Sequence, residues 1–97
     1  MELRIKQRAY LDLEEIKVYY RECLAEEYFN ALESSIYKKC DFILASPKIG
    51  TPTRIEKFKH FRWVIEGAYF VFYTIRKDYV SIERIVHSAR DIKKALK

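Results

Sequence analysis

Apolar and polar residues alternate from Leu3 to Arg8, the period-two signature of a strand with one face buried, so a short strand is expected to open the chain over residues 3–8. The period then lengthens. Leu13, Ile16, Tyr20 and Cys23 recur at steps of three and four, and Phe29, Leu32, Ile36, Cys40 and Ile43 repeat the spacing, as one buried helix face requires. Asp12, with Glu15 three residues on, reads as a capping-box start for the first helix, its carboxylate accepting from orphan amides. One helix over residues 12–45 would be about 50 Å long at about 1.5 Å per residue, too long for so small a domain to cover. A helical hairpin is therefore expected, broken near residues 23–26.

Ser46-Pro47-Lys48-Ile49-Gly50-Thr51-Pro52 is the clearest punctuation in the chain, because proline lacks the amide a helix needs and glycine admits dihedrals other residues avoid. Beyond it the composition turns aromatic and β-branched. Residues 61–65, 69–75 and 79–86 read as three strands, with Glu66-Gly67 and Lys77-Asp78 as hairpin connections. The middle strand, Tyr69-Phe70-Val71-Phe72-Tyr73, is apolar on both faces. It should lie centrally, one face against the helices and the other under a partner or a tail. Residues 88–97 keep helical spacing at Ile92 and Leu96 but are rich in lysine, which suits a short, mobile basic tail. Strand, helix pair and meander together make an α+β fold: an N-terminal strand, a helical hairpin, a three-stranded antiparallel meander and a short C-terminal helix or tail, in a single domain over residues 1–97.

Composition narrows what such a domain does. Hydrophobic residues at 49% and aromatics at 15% can oppose the entropy of ordering, so the chain folds rather than staying disordered. The longest uncharged apolar run, residues 67–75, is far below the roughly 20 residues that span a bilayer. With no signal-peptide core at its start, the protein is expected in the cytoplasm, with no membrane partner. Cys23 and Cys40 are too few and too far apart for a disulfide framework or a zinc site; both read as buried small hydrophobes, and no metal or cofactor is expected. Net charge is +5, with the surplus in the second half, which favours a polyanion or an acidic protein as partner.

Several segments, in order, resemble one family. Tyr10-Leu11-Asp12-Leu13-Glu14-Glu15-Ile16 is similar to the "A-x-x-DL-x-x-I" opening of ParE-like toxins, and Ser46 to Gly50 to their "P-x-x-G" loop. Phe61-Arg62 resembles the basic start of the meander, Tyr69 to Tyr73 the "Y-x-I-F-Y" strand, and Ile85 to Asp91 the "V-x-H-x-x-R-D" ending. The resemblance to the RelE/ParE superfamily spans nearly the whole chain. It implies two helices packed on an antiparallel sheet, and co-expression with a cognate antitoxin, ParD-like or another small DNA-binding antitoxin, whose C-terminal segment wraps the toxin. It also implies one of two targets, DNA gyrase for the ParE branch or ribosome-bound messenger RNA for the RelE branch. Fold alone does not choose between them.

Residue chemistry bears on that choice. Cleaving RNA through a 2′-hydroxyl needs a proton acceptor, a proton donor and cations around the developing charge, and Lys59, Arg62, His87 and Arg90 are the set a nuclease would use. The RelE branch carries an arginine after the first tyrosine of the central strand, where this chain has Phe70, and often a tyrosine in the tail, where this chain has none after Tyr79. The ParE branch is therefore expected: a gyrase poison acting by protein-protein contact without a catalytic centre, with messenger RNA cleavage on the ribosome as the alternative. Its target-binding surface is expected at Lys59, Arg62, His87, Arg90, Lys93 and Lys94, and its antitoxin-binding surface at Tyr69, Val71 and Tyr73 on the outer sheet face and in the helical groove. Plainer roles stand beside these: a hydrogen-bonded structural His87, a surface pair of Arg90 with Asp91, and core positions for the strand tyrosines. A nucleic-acid module of the OB or RRM type lacks support, since the glycine-rich RNP pattern is absent.

Overall fold

A computed structural model of the chain describes residues 1–96. Strand β1 (Glu2–Ile5) leads into helix α1 (Gln7–Glu22), which turns back as α2 (Glu26–Ala45). A 3₁₀ turn (Pro47–Ile49), a two-residue strand β2 (Thr51–Pro52) and a second 3₁₀ turn (Glu56–Phe58) follow. The meander is β3 (Arg62–Glu66), β4 (Tyr69–Ile75) and β5 (Tyr79–His87), and helix α3 (Ile92–Ala95) comes last. The strands form one sheet in the order β1-β5-β4-β3-β2, parallel only where β1 meets β5.

The opening strand is shorter than its alternation suggests. β1 pairs with β5 from Glu2 opposite Tyr79 to Ile5 opposite Ile82. The Lys6 amide then donates to the Ile82 carbonyl at 3.0 Å, and Gln7 and Arg8 already belong to α1. Asp12 is therefore not a helix cap. It lies inside α1 and is buried, because its carboxylate is committed to β5 rather than to amides of its own helix.

The hairpin break falls where expected. Leu24 adopts a left-handed φ of 56°, the Leu24 amide donates to the Arg21 carbonyl, and the Ala25 amide reaches the Tyr20 carbonyl at 2.8 Å. This is a Schellman closure with leucine where glycine is usual. Cys23 sits at this exposed turn, so only Cys40 is the buried small hydrophobe expected of both. Cys40 belongs to the α2 stripe of Phe29, Leu32, Ile36 and Ile43, all buried. Burial pushes its thiol up to about 11.

Gly67, with φ of 57°, turns β3 into β4, one residue later than placed from sequence. Between β4 and β5 the register slips: Phe72 faces Arg84 and Tyr73 faces Ile82, leaving Glu83 as the extra residue of a bulge. The bulge reverses the strand's parity, so Val80, Ile82 and Ile85 all reach the helix side. Sequence alternation misses β2 because two residues hold no period; Pro52 is tolerated there because β2 is the sheet's edge.

Each face of the sheet has its own core. Tyr69, Val71, Tyr73, Val80, Ile82 and Ile85 pack under α1 and α2 with Leu13, Leu32, Ile36 and Ile43. On the outer face Phe61, Phe72 and Val86 pack with Ala95 and Leu96 of the tail, flanked by Ile55, Phe58, Trp63, Phe70 and Ile92. The second face of β4 is thus covered in large part by the chain itself. The tail expected to be mobile is docked as far as Leu96; Lys97 lies outside the described residues. No helix among them is long and apolar enough to cross a membrane.

Candidate functional site

β1 stops at Ile5, so beyond Ile82 the edge of β5 away from β4 has no strand beside it, and α1 covers that edge instead. Asp12 accepts from the Ile85 amide at 2.9 Å and from Arg84 Nε and Nη2 at 2.8 and 3.1 Å. Arg8 approaches the same carboxylate at 3.1 Å. The third arm of the Arg84 guanidinium, Nη1, donates to the Ala95 carbonyl at the end of α3. A single buried side chain on β5 therefore ties the first helix to the last. Such a pair is tolerable inside a protein only because every donor and acceptor is met. Glu83 in the bulge is satisfied in the same way, by Thr74 Oγ1 at 3.0 Å and Lys6 Nζ at 2.9 Å. Burial alone would raise its carboxyl, but the bonds from Lys6, Ser81 and Thr74 together hold it below the usual range.

Arg62, expected on a target-facing surface, is turned onto the protein's own loop. Its Nη1 donates to the Gly50 carbonyl at 2.7 Å and the Lys48 carbonyl at 3.3 Å. Tyr73 holds the loop from the other side: its hydroxyl accepts from the Gly50 amide at 2.8 Å and donates to the Pro47 carbonyl at 2.6 Å. A side chain at position 50 would put its Cβ within 2.8 Å of the Tyr73 ring. The proline-to-glycine loop is thus a piece of packing, with glycine needed for close approach rather than for its dihedrals.

At the other end of β4 stands a different set. Tyr69 pairs with His87 across the strands and their rings meet edge to face at 5.1 Å. His87 Nδ1 accepts from the Ala89 amide at 3.0 Å, so the neutral ring carries its proton on Nε2. His87 and Arg90 line a cavity of about 290 Å³ with Glu15, Tyr19, Tyr20 and Tyr69. Burial first, then the bond with Tyr20 and the neighbouring phenols, pushes the Tyr69 hydroxyl well above its usual range. Tyr69 is therefore a neutral donor and not a base. Asp91 does not pair with Arg90; it caps α3 by accepting from the Lys94 amide at 3.3 Å.

The expected site residues fall into separate groups. His87 and Arg90 come together. Arg62, opposite Tyr73 rather than Tyr69, stands four residues away along β4, about 13 Å at about 3.3 Å per residue. Lys59 ends the second 3₁₀ turn and pairs with Glu56 at 3.3 Å, while Lys93 and Lys94 are exposed on α3. Tyr69, Val71 and Tyr73 are 4%, 0% and 0% exposed on the helix side. They are core residues and present no outer surface, because the register of β4 turns Phe70 and Phe72 outward instead. Sequence reasoning passed over Asp12 with Arg84; two charged residues, Glu83 and Arg84, inside the apolar run of β5 were the signal available.

Comparison with known proteins bears on the fold and the family. No curated protein matches the sequence at a significant level. One solved structure, from work on the chromosomal ParDE toxin-antitoxin system of P. aeruginosa, superimposes with a TM-score of 0.75 at 18% identity, over 90% of this chain and 95% of that one. At that identity the likeness speaks for the fold. The family model of the ParE toxin of the type II toxin-antitoxin system parDE matches residues 3–92. The chain belongs to the ParE toxin family of type II toxin-antitoxin systems.

Proposed function

We propose that this ParE toxin acts by binding DNA gyrase through protein-protein contact and is neutralised by a cognate antitoxin. The observation that carries the reading is the dispersal of the candidate nuclease residues. Arg62 is bound to loop carbonyls, Lys59 is paired with Glu56, and His87 with Arg90 stands at the opposite end of the sheet. A phosphodiester in its transition state needs these groups around one oxygen-bearing centre. What the rim offers instead is spread positive charge from Arg90, Lys93 and Lys94, suited to steering and orienting a large partner.

The antitoxin contact cannot run through Tyr69, Val71 and Tyr73 while the helices stay seated. Exposed apolar side chains on the helix pair, Tyr10, Leu11, Val18 and Tyr37, favour a seat there. Stable partners bury on the order of 1,200–2,000 Å².

Purified toxin should abolish supercoiling by gyrase, and Lys93→Glu with Lys94→Glu should weaken that inhibition roughly tenfold through lost steering. Site-specific cleavage of message on a translating ribosome, with gyrase unaffected, would instead establish the endonuclease reading.

A further inference from the structure

The outer sheet face holds a second cavity, of about 160 Å³, walled by Ile55, Trp63, Phe70 and Ile92 with the buried Phe72. Its two polar neighbours are Thr53, whose hydroxyl already donates to the Phe58 carbonyl, and the exposed Arg54. The interior therefore offers apolar contact and little hydrogen bonding. A dry cavity of about 150 Å³ accepts one benzene ring, so this one suits a single phenylalanine or leucine side chain.

Cations outnumber acids around the cavity. Among the described residues Arg54, Lys57, Lys93 and Lys94 have no carboxylate within ion-pair distance. The acids on the same two segments are occupied, Glu56 by Lys59 and Asp91 by the α3 amide. We propose that this cavity is the anchor site for an acidic peptide segment, which seats one apolar side chain against Trp63, Phe70, Ile55 and Ile92 while its flanking carboxylates meet Arg54 and the α3 lysines. Shape selects the anchor and charge selects the flanks. A nucleobase fits the same charge less well. It needs an open ring face to stack on and partners for its polar edges, whereas Trp63 and Phe70 are turned edge to face on each other at 5.0 Å. The site shares Lys93 and Lys94 with the surface proposed to steer gyrase, while its apolar anchor does not depend on that target.

Trp63 is the sole tryptophan of the chain, so its emission reports occupancy directly. Intact toxin would be titrated with a synthetic pentapeptide holding one phenylalanine between two pairs of acidic residues. Versions with alanine at the centre or lysines at the flanks, and a single-stranded oligothymidylate, complete the set. The acidic phenylalanine peptide should give a saturable change in emission, with roughly tenfold or weaker binding for either altered peptide. Arg54→Glu, at an exposed position, should weaken binding to a similar degree and leave thermal unfolding unchanged. An equal response to all three peptides, or no saturable response, would overturn the proposal. Saturation by oligothymidylate but not by peptide would overturn it too, and reassign the cavity to a nucleobase.

Discussion

The two faces of the sheet are built to different rules. The helix face is covered by two helices of 16 and 20 residues, and Tyr69, Val71, Tyr73, Val80, Ile82 and Ile85 of its central strands are buried. The outer face is aromatic, roofed by a four-residue helix and the segment before β3, and edged with cations. Burial of comparable side chains stabilises both, but on the outer face the large aromatics Trp63 and Phe70 stay partly exposed. The lesson is that one sheet carries two cores of different make. Alternation along β4 assigns each side chain to one task.

Arg84 joins the two faces, and breaking it should have the largest effect. Arg84→Ala leaves the buried Asp12 with only the part-exposed Arg8 as counter-charge and frees the end of α3, so chemical denaturation should show a loss of about 3 kcal/mol. Tyr73→Phe should cost about 1–3 kcal/mol, since the Gly50 amide and Pro47 carbonyl both lose their partner. Here the comparison sharpens: Tyr73 belongs to the helix face, and its loss should leave the Trp63 environment unchanged, while Arg84→Ala should alter it.

A smaller stability effect runs the other way. Leu24 holds a left-handed conformation while 95% exposed, so Leu24→Gly should stabilise the fold by about 1 kcal/mol, read as a raised Tm. Acid should act through Glu83. Its folded carboxyl is held low, so the unfolded chain takes up the proton first. The stability Glu83 contributes is present above the ordinary carboxyl value of about 4.3 and is lost as pH falls through the lower folded value. In Glu83→Gln the acid limb of a pH-stability curve should be shallower. Smallest of all in stability should be Lys93→Glu with Lys94→Glu, within about 0.5 kcal/mol of the parent, although binding should fall.

Much of this was legible in the sequence, for physical reasons that also mark where legibility ends. The α2 stripe is visible because all five of its apolar positions face the core, and the meander because β-branched and aromatic residues cluster between turn residues. The start of α1 is hidden because an acidic residue ahead of an apolar stripe looks like a cap; nothing local distinguishes Asp12 bonding to its own helix from Asp12 bonding to a strand over seventy residues away. The parity of β5 is hidden by the bulge at Glu83. Among the site residues, His87 and Arg90 are neighbours in sequence and remain so in space. Arg62 looked available because a strand-initial arginine beside aromatics is usually solvated, and only the path of the 47–50 loop shows it to be engaged. The outer cavity draws on residues 53–55, 63, 70, 72 and 92, a set with no sequence period.

The most direct test of a binding toxin, as against a cleaving one, is gyrase supercoiling measured with increasing amounts of the purified protein. Inhibition that saturates with toxin and is reversed by its antitoxin is the predicted result. Full supercoiling at every concentration, alongside cut message from a translating ribosome, would contradict it.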